Sequence, residues 1–221
     1  MTIVLESFDI QSPEFGKPYK IDLVEGLDST HIDFIEKSWT PLLRRQKDLA
    51  ILDFFSLPEA SRTEEKWNKT LGKFGVPDAH WDWRTKCDVA PSSNRKIFAL
   101  INADEVEAVM LLHFGKMSRE ANHALPLVYV DYLAVGPWNR ESIQSPQRFR
   151  KLGTVLLGSA VNTSIAMGRE GRCGLHSLLQ AEGFYRRIGM NDFDIDSAYQ
   201  SLRYFEFSAE AAKQFIGKGE L

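Results

Sequence analysis

Between an apolar run, LPLVYVDYLAV, and a long segment of helical spacing, the chain carries Arg148, Arg150 and Lys151, and Gly153 follows as that helix opens. Strand, basic loop and helix in that order make an anion site. The first backbone N–H groups of a helix have no acceptor within it, and the macrodipole adds partial positive charge at the same end. The chemistry suggested is the holding of a phosphate; the alternative is a set of solvated residues opening a helix. A second stretch, HWDWRTK at 80–86, sets Trp81 and Trp83 on either side of Asp82. If extended, the two rings share a face. There they line an acceptor pocket with Asp82 attracting a cation, or else they cover an open edge of the core. His176 and Ser177 end a short apolar strand, CGLHSL; the histidine is a base by type and equally a packed ring. Asp131 stands two residues before Leu133 and shares its strand face.

The elements that must position these groups follow from the pattern. YKIDLVEG reads as a strand stopped by Gly26. DSTHIDFIEKSWTPLLRRQ reads as a helix capped at Ser29 or Thr30 and kinked or broken at Pro41. SRTEEKWNKTLGKFG reads as a second helix, with Ser61 three residues before Glu64 as in a capping box. VPDAHWDWRTKCDVAPSSN, rich in Pro, Ser and Asp, is expected to be a long loop. RKIFALIN and EAVMLLHFG flank the short turn ADEV and predict a hairpin. After LPLVYVDYLAV comes the helix KLGTVLLGSAVNTSIAMG, with Leu152, Val155, Leu156, Ser159 and Val161 mainly toward one side. CGLHSL is a strand, QAEGFYRRIGM a short helix and LRYFEFS a last strand before the tail AEAAKQFI. The helical crossover is long enough to make CGLHSL parallel to VYVDYLAV, which puts a ligand cleft beside the middle of the sheet.

With 221 residues, 43% hydrophobic and 26% charged, the chain can bury a sizeable core. Lys and Arg total 27 against 30 Asp and Glu, a formal net charge of -3. That balance argues against general nucleic-acid binding and is compatible with a cationic substrate. Cys87 and Cys173 lack the spacing of a zinc site or a disulfide framework, so no metal is expected. The N-terminus lacks the order of a signal peptide, and no apolar run approaches the ~20 residues that span a bilayer. The expectation is a cytoplasmic protein without a membrane partner.

Three segments in fixed order, YLAVGPWNR, RKLGTVLL and AEGFYRRIGM, resemble the GNAT superfamily of acyl-CoA-dependent N-acyltransferases over about residues 95–207. The resemblance implies an α+β fold, a mixed and mostly antiparallel central sheet flanked by helices, as a single domain over 1–221. Its parts would be an N-terminal strand, helical lid and loop to about 94, a cofactor-binding core at 95–207 and a tail at 208–221. It implies an N-acetyltransferase that moves an acetyl group from acetyl-CoA to a primary amine, in a small molecule or a protein, by direct attack in a ternary complex. A homodimer is compatible with it.

By the same resemblance, the backbone amides of Lys151, Leu152, Gly153 and Thr154 cradle the coenzyme A pyrophosphate, with charge added by Arg148, Arg150 and Lys151. The backbone of Leu133 and Val135 pairs with the pantetheine arm. Asp131 stands at the position of a general base, and Tyr185, in GFYRR, at that of the acid that protonates the departing thiolate. Three departures stand out. Lys151 replaces the family's first glycine, and Leu178 occupies the spacing of its asparagine. ESIQSPQRFR, at 141–150, reads as an insertion, which leaves either Arg140 or Arg148 at the family's arginine position. They motivate the competing expectation of a non-catalytic acyl-CoA-binding or partner-binding protein on the same scaffold.

Overall fold

The computed structural model describes residues 2–89, 94–120 and 125–217. Of the expected segments, residues 90–93 of the long loop and 218–221 of the tail lie outside the described residues. Strands β1 (Ile3–Ser12), β2 (Lys17–Glu25), β3 (Arg95–Asn102), β4 (Glu105–Met117), β5 (Pro126–Val135), β6 (Cys173–Ser177), β7 (Asn191–Asp196) and β8 (Leu202–Phe207) form one sheet. Their order is β1-β2-β3-β4-β5-β6-β8-β7. The pairs β1/β2, β6/β8 and β7/β8 are antiparallel, and β5/β6 is parallel, as the crossover length requires. The helices are α1 (Ser29–Phe34), α2 (Thr40–Phe55), α3 (Glu64–Lys73), α4 (Trp83–Val89), α5 (Leu152–Ala166), α6 (Glu182–Arg187) and α7 (Ala209–Gly217). The class is α+β, a mixed, mostly antiparallel sheet with helices. Two compact units divide the chain: Met1–Asp88, Ala99–Ala108 and Ala134–Leu152 form one, and Val89–Phe98, Val109–Leu133 and Gly153–Leu221 the other.

In the first unit, Asp28 caps α1, one residue before the expected Ser29 or Thr30; its Oδ1 accepts from Thr30 N and His31 N at 3.0 and 3.2 Å. Pro41 perturbs the helix as expected, and the form of the perturbation is a π-helical turn at Ile35–Trp39, closed by Thr40 N–H on Ile35 O. Proline has no N–H to give and its ring displaces the carbonyl four residues back, so α2 restarts with Pro41 in its first turn, where no donor is needed. The turn buries Trp39, whose Nε1 donates to Val106 O at 3.1 Å. Thr63, not Ser61, caps α3: Lys66 N donates to Thr63 Oγ1 at 3.2 Å, while Ser61 ends a 3₁₀ turn. Within the expected long loop lies α4. Asp82 opens it, accepting from Thr85 N at 3.1 Å and Thr85 Oγ1 at 2.7 Å.

In the second unit, α5 is enclosed rather than one-sided. Thr154, Val155, Leu156, Leu157, Ser159, Ala160 and Val161 are all buried, the pattern of a helix inside a core. Fully burying a leucine such as Leu156 contributes about 1.5–3 kcal/mol. Strand β6 pairs with β8 so that His176 lies opposite Tyr204. The expected tail continues as α7, whose Phe215 stacks on Phe207 with ring centroids 5.0 Å apart.

Candidate functional site

The parallel pair β5/β6 is short. Val128 faces Cys173, Tyr129 faces Gly174 and Val130 faces Leu175, and the pairing ends there, although β5 continues to Val135 and β6 to Ser177. Beyond that point the two strands have no further paired residues among those described, an opening of the kind an added extended segment can use. Asp131 is the first residue of β5 past the paired stretch. Its side chain is 17% exposed, and Arg95 Nε stands 3.4 Å from its Oδ2, too loose for a well-formed hydrogen bond. Burial pushes the Asp131 carboxyl above the ordinary aspartate value, against the pull of His113, Arg95 and Lys116. His113 is pushed the other way, also by burial, so its ring is held neutral. The imidazole lies along its own strand above Gly115, where a Cβ would sit 3.2 Å from His113 Nε2. Arg95 Nε, His113 Nδ1 and Asp131 Oδ2 are buried atoms without a hydrogen-bond partner among the described residues, a concentration of unsatisfied polar groups that a bound molecule would relieve.

The loop before α5 uses its arginines differently from the sequence expectation. Arg140 is nearly buried and clasps Asp78 with two prongs, Nη1 to Oδ1 at 2.5 Å and Nη2 to Oδ2 at 2.8 Å, while also donating to Gly75 O. Arg148 lies 4.9 Å over the Trp138 ring, donates to Glu107 Oε1 at 2.8 Å and pairs with Glu105. Both cations are thus neutralised within the protein, and the exposed cations of the loop are Arg150 and Lys151. Glu107 is wholly buried, and burial raises its carboxyl above the ordinary value; Trp138 Nε1, Asn139 Nδ2 and Arg148 donate to it and oppose that shift. Residues 141–150 are anchored rather than loose. Phe149 is 1% exposed, and its N donates to Asn139 Oδ1 at 2.8 Å. The Val135 carbonyl, expected to serve the pantetheine arm, accepts from Arg140 Nε and Nη2 at 3.0 and 2.8 Å.

Lys151 adopts φ 63°, the left-handed conformation that glycine supplies most easily, directly before α5. The residue directly before the helix thus takes a turn conformation that favours glycine. Leu152 and Thr154 are buried, so their side chains serve packing. Gly153 has ordinary φ, and a Cβ there would meet Leu133 Cδ2 alone, at 3.7 Å.

Tyr185 is buried on α6, its ring 5.6 Å from that of Phe205, and burial pushes its phenol up to about 12. It remains protonated, hence a donor, across the physiological range. Trp81 and Trp83 meet edge to face at 6.1 Å, with Trp83 buried; Asp82 is occupied as the cap of α4. His176 is enclosed, its side chain 4% exposed, between Tyr129 Oη at 2.6 Å and Asp196 Oδ2 at 3.1 Å. Arg95, His113, Tyr129 and Asp196 escaped the sequence reading. Only Tyr129 left a signal, since it shares the strand face of Asp131.

No protein-family model matches the chain, and no curated protein matches its sequence. Among solved structures, a GNAT-family protein from Desulfovibrio desulfuricans aligns over 86% of this chain and 99% of its own, at 11% identity and a TM-score of 0.43. A mutant of the toxin AtaT, bound to the C-terminus of the antitoxin AtaR and acetyl-CoA, aligns over 66% of this chain and 84% of its own, at 14% identity and a TM-score of 0.40. Arabidopsis thaliana Naa50, in complex with a bisubstrate analogue, aligns over 51% and 72%, at 16% identity and a TM-score of 0.38. The likeness is one of fold. Among the described residues no helix is long and apolar enough to cross a membrane.

Proposed function

We propose that this chain is an N-acetyltransferase, acting in the cytoplasm, that moves an acetyl group from acetyl-CoA to a primary amine of a small molecule or a protein. The observation that carries the reading is the early end of the β5/β6 pairing at Val130 and Leu175, with the half-buried Asp131 directly beyond it. Leu133 offers its backbone to the pantetheine arm, and the amides of residues 151–154 offer theirs to the pyrophosphate, with Arg150 and Lys151 supplying charge. Acetyl-CoA brings the thioester. Asp131 accepts a proton from the acceptor ammonium, and Tyr185 returns one to the sulfur. The burial of Tyr185 and the engagement of Arg140 and Arg148 favour the second reading, an acyl-CoA-binding protein without turnover.

Gly153 gives a direct test. Nothing in its packing demands a glycine, and Gly→Ala at a compatible helical position stabilises by about 0.4–1 kcal/mol. Gly153→Ala is therefore expected to melt higher and yet bind acetyl-CoA more weakly in calorimetric titration, because the added methyl keeps the phosphate from the amides. Unchanged affinity would remove the cradle. Tyr185→Phe is expected to keep acetyl-CoA affinity and lose at least about tenfold in turnover. Wild-type turnover would assign Tyr185 to packing, and acetyl-CoA binding without thiol release across a broad amine panel would favour the second reading.

A further inference from the structure

At the point where β5 and β6 part, three side chains connect through one imidazole. Tyr129 of β5 and His176 of β6 bridge the strands on the face that also carries Asp131, with Tyr129 Oη 2.6 Å from His176 Nδ1. The other ring nitrogen, Nε2, lies 3.1 Å from Asp196 Oδ2 of β7. Asp196 also pairs with Arg119, and these two partners hold its carboxylate down at about 2. A charged carboxylate only accepts, so His176 Nε2 carries the hydrogen and the neutral ring leaves Nδ1 bare. Tyr129 must then donate its O–H to His176, which turns the lone pairs of Oη away from the ring. The imidazole is fixed in this pose by Tyr199, stacked on it at 4.1 Å with planes 5° apart, and by Tyr204, tilted at 5.0 Å. Lys116 donates to Tyr199 Oη at 2.5 Å and stands 5.7 Å over the Tyr129 ring.

Acetylating an ammonium removes two protons from nitrogen, one before attack and one after, and gives one to sulfur. Asp131 can take only one. We infer that Tyr129, His176 and Asp196 form a relay that takes the other: an N–H bond of the acceptor breaks as an O–H bond forms at Tyr129, whose own proton passes to His176 Nδ1. Asp196 balances the resulting imidazolium. The arrangement follows the logic of a hydroxyl activated by an oriented imidazole. Tyr129 is the proposed catalytic residue, and His176 and Asp196 position it. The inference rests on the acetyltransferase reading and adds a proton path to it.

The charged and titratable groups facing His176 are Tyr129 and Asp131 on β5, Asp196 on β7, Tyr199 in the following turn, Tyr204 and Glu206 on β8, and Lys116 and Arg119 at the end of β4. Burial is the first cause that lowers the His176 titration from its ordinary value, with Arg119 and Lys116 adding to it against Asp196. Activity through the relay is therefore present above that titration and lost below it.

Histidine ¹⁵N spectra of the whole protein test the geometry without turnover. They are expected to show His176 as the Nε2–H tautomer at neutral pH, with the Nδ1 shift altered in Tyr129→Phe. An Nδ1–H tautomer, or a ring protonated at neutral pH, overturns the relay. Kinetics test its use: Tyr129→Phe is expected to lose at least about tenfold in kcat with the KM for acetyl-CoA unchanged, and to lose the part of the acid limb that follows His176 while keeping the rise that follows Asp131. Asp196→Asn is expected to shift that limb. Wild-type turnover and profile in Tyr129→Phe overturn the relay alone. Failure of the unmodified protein both to bind acetyl-CoA and to acetylate any amine overturns the acetyltransferase reading, and the relay with it.

Discussion

Asp131→Asn is expected to lower turnover by about a hundredfold while raising the thermal midpoint. The two effects share one cause. Burial, the largest influence on Asp131, lifts its folded titration above the unfolded value. Such an acid binds its proton more tightly in the fold. Its contribution to stability is complete below the unfolded value and is lost as pH rises through the folded one. At neutral pH the carboxylate therefore weighs against folding, and a neutral amide removes that burden. Turnover in the wild type rises with pH through the same titration, because only the carboxylate accepts a proton; in the variant that rise is absent. Melts and kcat profiles on both sides of the titration measure both effects. Unchanged turnover with an unchanged profile removes Asp131 as the base. A lowered midpoint would mean instead that Arg95 and His113 depend on its charge.

Asp78→Ala is expected to lower stability by about 3–5 kcal/mol, the effect of leaving a buried guanidinium without its anion. Asp78 and Arg140 expose only 8% and 11% of their side chains, and the pairing is bidentate. Urea unfolding of the variant gives the loss directly. The double variant Asp78→Leu with Arg140→Met, which removes both charges, is expected to recover most of it. A loss below about 1 kcal/mol, typical of an exposed pair, together with a fall in acetyl-CoA affinity would return Arg140 to the phosphate.

The legible parts of this fold are its enclosed parts. β3, β4, β5, β6 and β8 announce themselves as apolar runs because they are buried, and α5 because it is apolar nearly all round. β1 and β7 escaped because they are the two edges of the sheet, exposed along most of their length, so IVLESFDIQS and NDFDID lack the long apolar runs that mark the enclosed strands. The caps were displaced by one or two residues, since Asp28 and Thr63 compete with equally good neighbours. At the candidate site, the order of strand, loop and helix around Lys151 was readable from local pattern alone. The fate of the arginines was not: Arg140 meets Asp78 from 62 positions away, and Arg148 meets Glu107 from 41. The same holds for His176, whose partners lie 47 and 20 positions off. A side chain's type states what it can bind, and only the packed chain states what it already holds.

The anchoring of residues 140–149 bears on how the loop would meet a ligand. Phe149, Arg148 and Arg140 each hold it to fixed partners, so its backbone is shaped before anything binds. Ordering entropy that a slack loop would surrender on association has here been surrendered on folding. Were the proposed phosphate cradle to bind, recognition by such a loop would be selective for an extended anion that already fits, and its rate would be set by encounter rather than by rearrangement.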